Sequence, residues 1–317
     1  MKKKKLSPLN SNRCLDIKTT YNGTQSYENI KNEYLLARKD IGIFNSSATG
    51  KIMLYGSRAL NLINHGSTGR IDNISENSIF TIIMKKKKFI GEVLVLRISP
   101  LRYLVITEYY KKVFKYFKKL QKHYPLVTID DATNQYSLFT FHGDKSNEYF
   151  EKIVSSNLYK TKQQNYTYYQ LLIPKKDERN SFEYFINLNF IPICLETKSI
   201  FLYNNGVITN LDKVYKPYRL NVYKIIYPFS NYPYNTKEKL LSIRQYEVQK
   251  NILIFKNNKI YNHRRKSVGI IHCSYRMPNK KNPYMIALVK KYQAGRLAII
   301  KNDKQEVLIK QFVNYQE

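Results

Sequence analysis

The sequence predicts an α+β fold that is followed by a smaller all-β domain. Up to about residue 213, segments with helical periodicity alternate with segments that have the periodicity and composition of strands. After that point the chain consists mainly of short β-rich segments at regular spacing, which is typical of a small barrel. A chain of 317 residues also exceeds the usual size of one compact core, so more than one domain is expected.

The first predicted elements surround a polar loop over residues 42–51, GIFNSSATGK, which contains no acidic residue. A helix is expected over residues 27–39, with Ser26 as its N-terminal cap. The helix ends at Gly42, where the polar loop begins. A strand is expected over residues 51–55, and after it a short helix whose stop signal is Gly66.

The next segment combines three strands with a basic helix. The strands are expected at SIFTIIM, FIGEVLVLRI and RYLVITE. In the helix expected over residues 109–123, Val113, Phe117 and Leu120 recur at helical spacing, and lysines occupy the opposite side. A lysine-rich side is usually a solvated helix face, and the alternative is a stripe that binds a partner.

The alternation repeats once more before the character of the chain changes. The expected order is strand, helix, strand and helix, over residues 131–143, 145–156, 166–176 and 177–189. Three prolines then mark a loop-rich stretch, at Pro217, Pro228 and Pro233. A helix is expected near residues 236–245, and the remaining strands are expected over 251–255, 268–275, 284–290, 296–301 and 306–313.

The chain carries a formal net charge of +31, from 54 Lys and Arg residues against 23 Asp and Glu residues. Such a charge would attract a polyanion such as RNA. The basic residues are spread along the chain together with frequent Asn, Ile and Tyr, as a strongly AT-rich coding sequence would produce. Mutational bias is therefore the favoured origin of the charge, and selection for a polyanionic partner is the alternative.

The sequence also limits the compartment and the cofactor classes. Cys14, Cys194 and Cys273 lie far apart, which favours a reducing compartment over a disulfide framework. The histidines have no ligand spacing, so no metal site is expected. No segment has the apolar length to span a membrane, and nothing resembles a signal peptide, so the protein is not expected to be secreted. Residues 1–24 are interpreted as a basic tail, with an organelle transit segment as the alternative.

Two local features raise the question of a binding site. The polar loop ends with Gly50 and Lys51, but a Walker loop needs a glycine five residues before such a pair and a hydroxyl residue after it. Asn45 and Ile52 occupy these two positions, so the pair is predicted to be a turn into a strand, with Ile52 and Leu54 on one face and Lys51, Met53 and Tyr55 on the other. Glu92 interrupts an otherwise apolar strand, so it lies either at a sheet edge or in a pocket.

Four stretches of the sequence follow the order of one known family. They are EYLLARKDIGIFNSSATGKIMLYGSRALNLINH, VTIDDATNQYSLFTFHGDKSNEYFEKI, YYQLLIPKKDERNSFEYFINLNFIPICLETKSIFLYNNGV and SVGIIHCSYRMPNKKNPYMIALV. Through their collinearity the chain resembles the glycine-cleavage T-protein family of folate-dependent aminomethyltransferases. The resemblance implies two related α+β lobes over residues 25–213 and a C-terminal β-barrel over residues 214–317, around a central channel for tetrahydrofolate.

The resemblance also implies where tetrahydrofolate binds. The polar loop aligns with the family's DVSHMG turn, which lines the folate channel, so Ser47, Thr49 and Gly50 are expected to bind the cofactor. Glu92, in the stretch IGE, aligns with the family's acidic IDD pair. It is expected to be the catalytic carboxylate, which orients the substrate amine and the folate nitrogen. Thr107 is assigned to the same cofactor site.

The remaining alignment concerns the pterin ring of the cofactor. The family's pterin-binding glutamate, in RLEAG, aligns with Asn204, and its GYTGE turn aligns with residues 162–166, which contain no glycine. Asn204 is still expected to bind the cofactor. Because a neutral amide accepts fewer hydrogen bonds than a carboxylate, pterin affinity is expected to fall by a few kcal/mol.

The function implied by the resemblance is tetrahydrofolate-dependent aminomethyl transfer in glycine cleavage. Its partner would be a lipoyl carrier protein, the chain would act as a monomer, and its compartment would be the mitochondrial matrix or the cytoplasm. The alternatives are a non-catalytic folate-binding or assembly-factor relative of the same fold, and a basic RNA-associated protein. The sequence leaves open whether the chain is an enzyme, because the departures from the family lie in the pocket.

Overall fold

The structure of the chain is a computed structural model. It describes residues 19–20, 23–24, 29–68, 71, 78–85, 88–153, 155, 157–163, 166–207, 241–249, 259–262, 264–277, 280–290, 298–302 and 305–312. These residues form two compact units. The first contains the described residues up to Ser199 apart from Tyr166, and the second contains Tyr166 and the described residues from Ile200 onward. The domain boundary predicted after residue 213, and most of the predicted tail, lie outside the described residues.

Two five-stranded sheets build the first unit, and a short antiparallel pair precedes them, β1 (Thr19–Thr20) with β2 (Gly23–Thr24). Sheet II contains β3 (Gly42–Asn45), and sheet I contains β4 (Gly50–Tyr55), β5 (Ser78–Lys85), β6 (Lys88–Ser99), β7 (Arg102–Thr107) and β8 (Thr128–Asp131). The other strands of sheet II are β9 (Tyr136–His142), β10 (Leu158–Gln163), β11 (Tyr166–Pro174) and β12 (Ile191–Pro192). The spatial orders are β5-β6-β7-β4-β8 in sheet I and β10-β11-β9-β3-β12 in sheet II.

Six α-helices are described along the chain. They are α1 (Ile30–Lys39), α2 (Ala59–Gly66), α3 (Tyr110–Leu120), α4 (Ser146–Phe150), α5 (Glu178–Asn187) and α6 (Leu195–Asn204). Short 3-10 turns follow α3 at Gln121–His123 and precede α5 at Lys175–Asp177. Within the described part of the chain, no helix has both the length and the apolar character needed to cross a membrane.

Sheets I and II pack face to face through an apolar core. Met53 and Leu94 of sheet I share this core with Leu138 and Leu172 of sheet II. On the outer face of sheet I, α2 and α3 bury apolar residues that include Leu62, Ile63, Val113 and Phe117. On the outer face of sheet II, α4 and α5 bury Phe150, Phe182 and Phe185. The first unit therefore has four layers, and the predicted α+β class is confirmed.

Side-chain alternation along β4 defines the two faces of sheet I. Ile52 and Leu54 are buried with α2 and α3, whereas Met53 is buried between the sheets. This confirms the grouping of apolar residues predicted for the strand. Lys51 shares its face with Met53, so its side chain lies on the interior face of the sheet.

Six strands of the second unit form one sheet. They are β13 (Leu241–Val248), β14 (Lys259–Tyr261), β15 (Ser267–Arg276), β16 (Pro283–Lys290), β17 (Ala298–Asn302) and β18 (Gln305–Phe312). They pair in the order β13-β16-β15-β14-β17-β18, and β13 also pairs with β18, so the sheet is closed. Its buried residues include Tyr246, Val248, Ile260, Ile271 and Met285. The strand predicted over residues 251–255 lies outside the described residues.

Asn29 takes the capping position that the sequence assigns to Ser26. Helix α1 begins at Ile30, and the Asn29 side chain accepts a hydrogen bond from the Lys31 N–H at 2.8 Å. Such a bond satisfies one of the N–H groups that a helix start leaves unpaired. Ser26 lies outside the described residues.

Sheet pairing overrides two other local predictions. Residues 42–45, which the sequence places in a polar loop, form β3 because they pair with β9 on one side, and their first two residues pair with β12 on the other. From Leu241 onward the predicted helix is replaced by β13, which pairs with β16 and β18. In both cases hydrogen bonds to neighbouring strands outweigh local preference. The helix predicted over 145–156 is also shorter, because only Ser146–Phe150 is helical.

We expect Gly50→Ala to destabilise the first unit, because position 50 has no room for a side chain. A Cβ atom there would lie 2.4 Å from Cβ of Tyr110 in α3. Relief of this overlap requires backbone movement, with an expected loss of about 1–3 kcal/mol in the free energy of unfolding. Urea denaturation measures it, with the exposed Ser57→Ala as the matched control. Equal stability of Gly50→Ala and wild type would contradict the packing described here.

Candidate functional site

A buried lysine holds the loop between β3 and β4 from inside. The Lys51 ammonium donates hydrogen bonds to the carbonyl oxygens of Ser47 and Thr49, at 2.9 Å in each case. The Lys51 side chain is 0% exposed. A hydrogen bond from the Thr49 N–H to the Ser46 carbonyl, at 3.0 Å, closes the turn. The lysine of the Gly-Lys pair therefore fixes the conformation of its own loop.

The environment of Lys51 disfavours its charged form. Burial lowers the pKa of Lys51 to about 7, and the positive charge of Lys175 acts in the same direction. Negative charge on Glu178, Asp131 and Glu108 opposes this shift. A substantial share of the Lys51 amines is therefore neutral at physiological pH.

Asn45 connects the same loop to α5. Its Nδ2 donates to Oε1 of Glu178 at 2.8 Å, and its Oδ1 accepts from the Ser47 N–H at 2.9 Å. Glu178 is buried in the first turn of α5, and it also accepts a hydrogen bond from Lys175. A carboxylate at this end of a helix is stabilised by the helix dipole. The loop is therefore anchored on sheet II and α5 as well as on Lys51.

The hydroxyl group of Ser47, a predicted cofactor ligand, is used within the fold. Its Oγ accepts a hydrogen bond from the Leu138 N–H at 3.1 Å. The residue is buried, and its carbonyl oxygen accepts from Lys51. Ser47 thus joins the loop to β9 of sheet II, and its contribution to a ligand site is to position the loop.

The other predicted site residues of the first unit meet at one end of sheet I. Gly50 of β4 pairs with Thr107 of β7, and the Thr107 hydroxyl donates to the Glu92 carbonyl oxygen at 2.7 Å. The Thr49 hydroxyl donates to Oε1 of Glu108, which follows β7, at 3.3 Å. The structure therefore brings the backbones of Glu92, Thr107 and Gly50 together at this end of sheet I. The side chain of Thr107 and position 50 face α3, on the opposite side of the sheet from the Glu92 carboxylate.

Glu92 begins a chain of polar side chains that leads from sheet I to sheet II. Its Oε1 accepts from Nε2 of Gln163 at 3.3 Å, and Oε1 of Gln163 accepts from the Tyr168 hydroxyl at 3.3 Å. The Tyr168 ring stacks on His142, with ring centroids 5.1 Å apart. Strand β6 lies between β5 and β7, so the half-buried Glu92 is not at a sheet edge.

Glu92, Gln163, Tyr168 and His142 belong to a cluster of polar side chains between the sheets, and Gly91 faces away from this cluster. A Cβ atom at Gly91 would lie 2.7 Å from Cβ of Tyr109 and 2.7 Å from Cγ2 of Val113, on the side of α3. Successive residues of a strand point to opposite faces, so Glu92 points between the sheets. Of the two positions that align with the family's acidic pair, position 92 alone can place a carboxylate in the cluster.

Lys198 of α6 brings a positive charge to the cluster. Its Nζ lies 4.5 Å from the centroid of the Phe44 ring and 3.4 Å from Oγ of Ser46. Burial lowers the pKa of Lys198, and the charge of Glu108 opposes this shift. Burial and the Lys198 charge lower the pKa of the fully buried His142 well below its ordinary value. The His142 ring is therefore neutral at physiological pH.

Asn204 belongs to the second unit, at the end of α6. It is half-buried, and its carbonyl oxygen accepts a hydrogen bond from Nε2 of Gln245 at 3.2 Å. The same Gln245 nitrogen lies 3.5 Å from the Tyr275 hydroxyl. Tyr275 in turn packs near Tyr284, with ring centroids 5.9 Å apart. Asn204 thus borders a group of polar and aromatic side chains within its own unit.

Several polar members of the cluster were not anticipated from the sequence. They are Lys51, Gln163, Tyr168, His142 and Lys198. For two of them the alternation of side chains along a strand indicates an inward-facing position. His142 shares a strand face with Leu138, and Tyr168 shares one with Leu172, and both leucines lie between the sheets. Among the described residues, no group of three or more His, Cys, Asp or Glu side chains could hold a metal ion.

Comparison with known sequences identifies similar proteins. Residues 13–174 match the family described as the GCVT N-terminal domain. The chain is 23% identical over 142 residues to an aminomethyltransferase of Thermosipho melanesiensis, a match that covers 44% of this chain and 39% of that protein. It is 28% identical over 136 residues to a probable aminomethyltransferase of Pyrococcus furiosus, covering 38% and 33%. The chain thus matches less than half the length of these curated relatives.

Comparison with solved structures extends over nearly the whole chain. The glycine cleavage system aminomethyltransferase T from Bartonella henselae superimposes with a TM-score of 0.74. The superposition covers 96% of this chain and 95% of that chain, at 10% sequence identity. At this identity the likeness shows a shared fold.

We expect Lys51 to make stability rise with pH. The pKa falls from an ordinary value of 10.5 to about 7 on folding. Between these values the unfolded chain binds more protons than the folded chain, so alkaline pH favours folding. From about pH 6.5 to about pH 8.5 the gain relative to Lys51→Met should be about 2 kcal/mol.

Two measurements check the Lys51 prediction. Urea denaturation of wild type and Lys51→Met across this pH range gives the stability difference. An NMR titration of the Lys51 Cε resonance in wild type gives the pKa directly, and it does not depend on whether the variant folds. Parallel stability curves, or a Cε titration near the ordinary lysine pKa, would contradict the prediction.

Proposed function

The chain belongs to the family of the GCVT N-terminal domain, which confirms the resemblance found in its sequence, and we propose that it is a tetrahydrofolate-dependent aminomethyltransferase of glycine cleavage. The observation that carries the proposal is the half-buried Glu92 carboxylate, which points between the sheets and accepts a hydrogen bond from Gln163, while the Glu92 backbone carbonyl is bonded to the Thr107 hydroxyl. Two related α+β lobes within residues 25–213, a barrel within residues 214–317 and a central folate channel are part of this proposal.

The chemical types of the predicted site residues fit tetrahydrofolate. Glu92 offers a carboxylate to an amine, and its hydrogen bond to the Gln163 amide fixes the direction of the side chain. Thr49 offers a hydroxyl at the end of a loop that Lys51 holds in place. Asn204 offers a neutral amide where the family has a glutamate. We therefore propose that the chain binds the pterin ring with lower affinity than a carboxylate at this position would allow.

In the proposed reaction Glu92 acts by position and charge. When bound, tetrahydrofolate would supply the two nitrogens that take the methylene carbon, one as the C–N bond breaks and ammonia leaves, the other as the C–S bond breaks and the thiol of the carrier is released. The Glu92 carboxylate would accept a hydrogen bond from the substrate amine and align it with the first of these nitrogens. Because the carboxylate is half-buried, water screens its charge less than at the surface. The reaction requires no protein nucleophile.

A non-catalytic folate-binding or assembly-factor relative is the second candidate. It is favoured by the departures at two positions, a glutamate with a longer side chain at 92 and an amide at 204. Catalytic groups normally need placement within about 0.5 Å, so an added methylene affects rate more than binding. Measurements of binding and turnover on the same protein separate the two candidates.

We expect Glu92→Gln to lower the rate of aminomethyl transfer by at least about 100-fold, because the amide keeps the shape but removes the charge. Single-turnover transfer from an aminomethylated lipoyl carrier protein to tetrahydrofolate measures the rate, and calorimetry measures tetrahydrofolate binding. Glu183→Gln, at a partly exposed residue paired with Arg179, is the matched control.

Each result of the Glu92 experiment has a defined meaning. No heat from wild type at millimolar tetrahydrofolate would contradict folate binding. Binding without transfer by wild type would favour the non-catalytic relative. Equal rates of transfer by Glu92→Gln and wild type would contradict the proposed role of Glu92.

We further propose that α3 presents the docking surface for the lipoyl carrier protein. Val113 and Phe117 are buried under this helix, whereas its lysines are exposed. None of the ion pairs among the described residues involves these lysines, so their charge is available to an acidic partner. The lysine face consists of Lys111, Lys112, Lys115, Lys118 and Lys119.

We expect reversal of three charges on the lysine face to weaken carrier binding at least about tenfold at low salt, because electrostatic attraction is lost. The variant carries Lys111→Glu, Lys115→Glu and Lys118→Glu, and binding is measured by calorimetry at two salt concentrations. The matched control reverses three exposed lysines elsewhere in the first unit, at Lys39, Lys145 and Lys152.

The control separates local docking from the overall charge of the chain. Equal weakening by both triple variants would contradict a docking surface on α3. Binding of single-stranded RNA through the lysine face, with a steep dependence on salt, would instead favour the RNA-associated alternative.

A further inference from the structure

The inner face of sheet II carries a cation without a close acidic partner. Lys198 is half-buried, and none of the ion pairs among the described residues, with N···O distances up to 4.0 Å, includes it. Its described contacts are the Ser46 hydroxyl at 3.4 Å and the Phe44 ring at 4.5 Å. A partly desolvated ammonium without a counterion is costly, and an anionic ligand would offset that cost.

A buried amide lies on the same face. Phe44, Thr140 and Gln170 are directly paired across β3, β9 and β11, so their side chains point to one side of sheet II. Gln170 is 2% exposed, and its Oε1 has no hydrogen-bond partner among the described residues. A buried polar atom without a partner is destabilising, and with the two ends of the amide exchanged the unpaired position becomes a donor that an anionic ligand would complete.

The neighbouring groups do not supply the missing negative charge. His142 follows Thr140 on the same face of β9, and its ring is neutral because burial and Lys198 lower its pKa. Its Nε2 is hydrogen-bonded to the Thr140 hydroxyl at 3.2 Å. Glu108 raises the pKa of Lys198 through space, but among the described residues the two form no ion pair within 4.0 Å. In the described part of the chain, this face therefore carries one cation and one buried amide without a close counterion.

We propose that Lys198, Ser46, Thr140 and Gln170 form a binding site for an anionic group, a carboxylate or a phosphate. Lys198 supplies the charge, the hydroxyls of Ser46 and Thr140 supply directional hydrogen bonds, and the Gln170 amide supplies a further donor once its two ends are exchanged. The inference stands on the cation and the amide alone, so it does not depend on folate binding.

The test measures thermal stabilisation of the full chain by two probes, acetate and inorganic phosphate, against chloride at matched ionic strength. A ligand that binds the folded state raises Tm in a saturable manner. We expect wild type to show saturation with at least one probe, and the probe that saturates identifies the class of anion. No saturation in wild type with either probe would overturn the proposal.

Variants show whether the effect belongs to this site. Lys198→Met should weaken the apparent affinity at least about tenfold, whereas Lys198→Arg should retain most of it, because the cation is preserved. Lys152→Met is the matched control, because Lys152 is exposed and belongs neither to the proposed anion site nor to the lysine face of α3. Equal losses of affinity in Lys198→Met and Lys152→Met would show a general effect of charge screening and overturn the proposal.

Gln170→Leu provides a second, independent test of the site if Lys198→Met does not fold. It removes the buried amide from another strand, and we expect a several-fold loss of affinity for the same anion. If Gln170→Leu binds the anion with unchanged affinity, the amide is not part of the site, and the proposal as stated is overturned.

Calorimetry with tetrahydrofolate on the same proteins separates this inference from the proposed function. Saturable anion binding in a chain that does not bind tetrahydrofolate would support the anion site and contradict the folate function. Tetrahydrofolate binding without any anion binding would support the folate function and overturn the anion site.

Discussion

Face-to-face packing of two sheets determines where polar chemistry can occur in the first unit. Along most of the interface the inner side chains are apolar, as with Leu94 and Leu104 against Leu138 and Leu172. Toward the end of sheet I where β4 begins, polar side chains replace them. A polar group enclosed there needs a hydrogen-bond partner, because an unpaired one costs several kcal/mol. The polar residues therefore form a connected network that starts at Glu92.

The polar loop obtains its shape from the same constraint. Lys51 is the second residue of β4 and its side chain lies on the interior face, so its ammonium must find acceptors inside the fold. The carbonyl oxygens of Ser47 and Thr49 are the acceptors it uses. The arrangement couples the loop to the first strand of sheet I, while Asn45 couples it to Glu178 of α5. A loop fixed at both ends can hold a ligand group with little loss of conformational entropy.

Local sequence patterns predicted the elements whose geometry is set locally. The spacing of Val113, Phe117 and Leu120 gave the buried face of α3, and alternation gave the faces of β4. Local patterns failed where partners distant in sequence decide the outcome, as in the strand Leu241–Val248. The same limit applies to the site. Glu92 was identified as unusual, but its half-buried position depends on two neighbouring strands and on Gln163.

Charges of opposite sign are distributed on the two sides of the cluster. Sheet I contributes the carboxylates of Glu92 and Glu108, whereas Lys198 lies against Phe44 of sheet II. The chain of side chains from Glu92 ends at His142, which is close enough to Lys198 for that charge to lower its pKa. Fixed charges in a partly desolvated site act more strongly than in water. A ligand that carries an amine and an anionic group would therefore be oriented by both sheets, with the amine toward Glu92 and the anion toward Lys198.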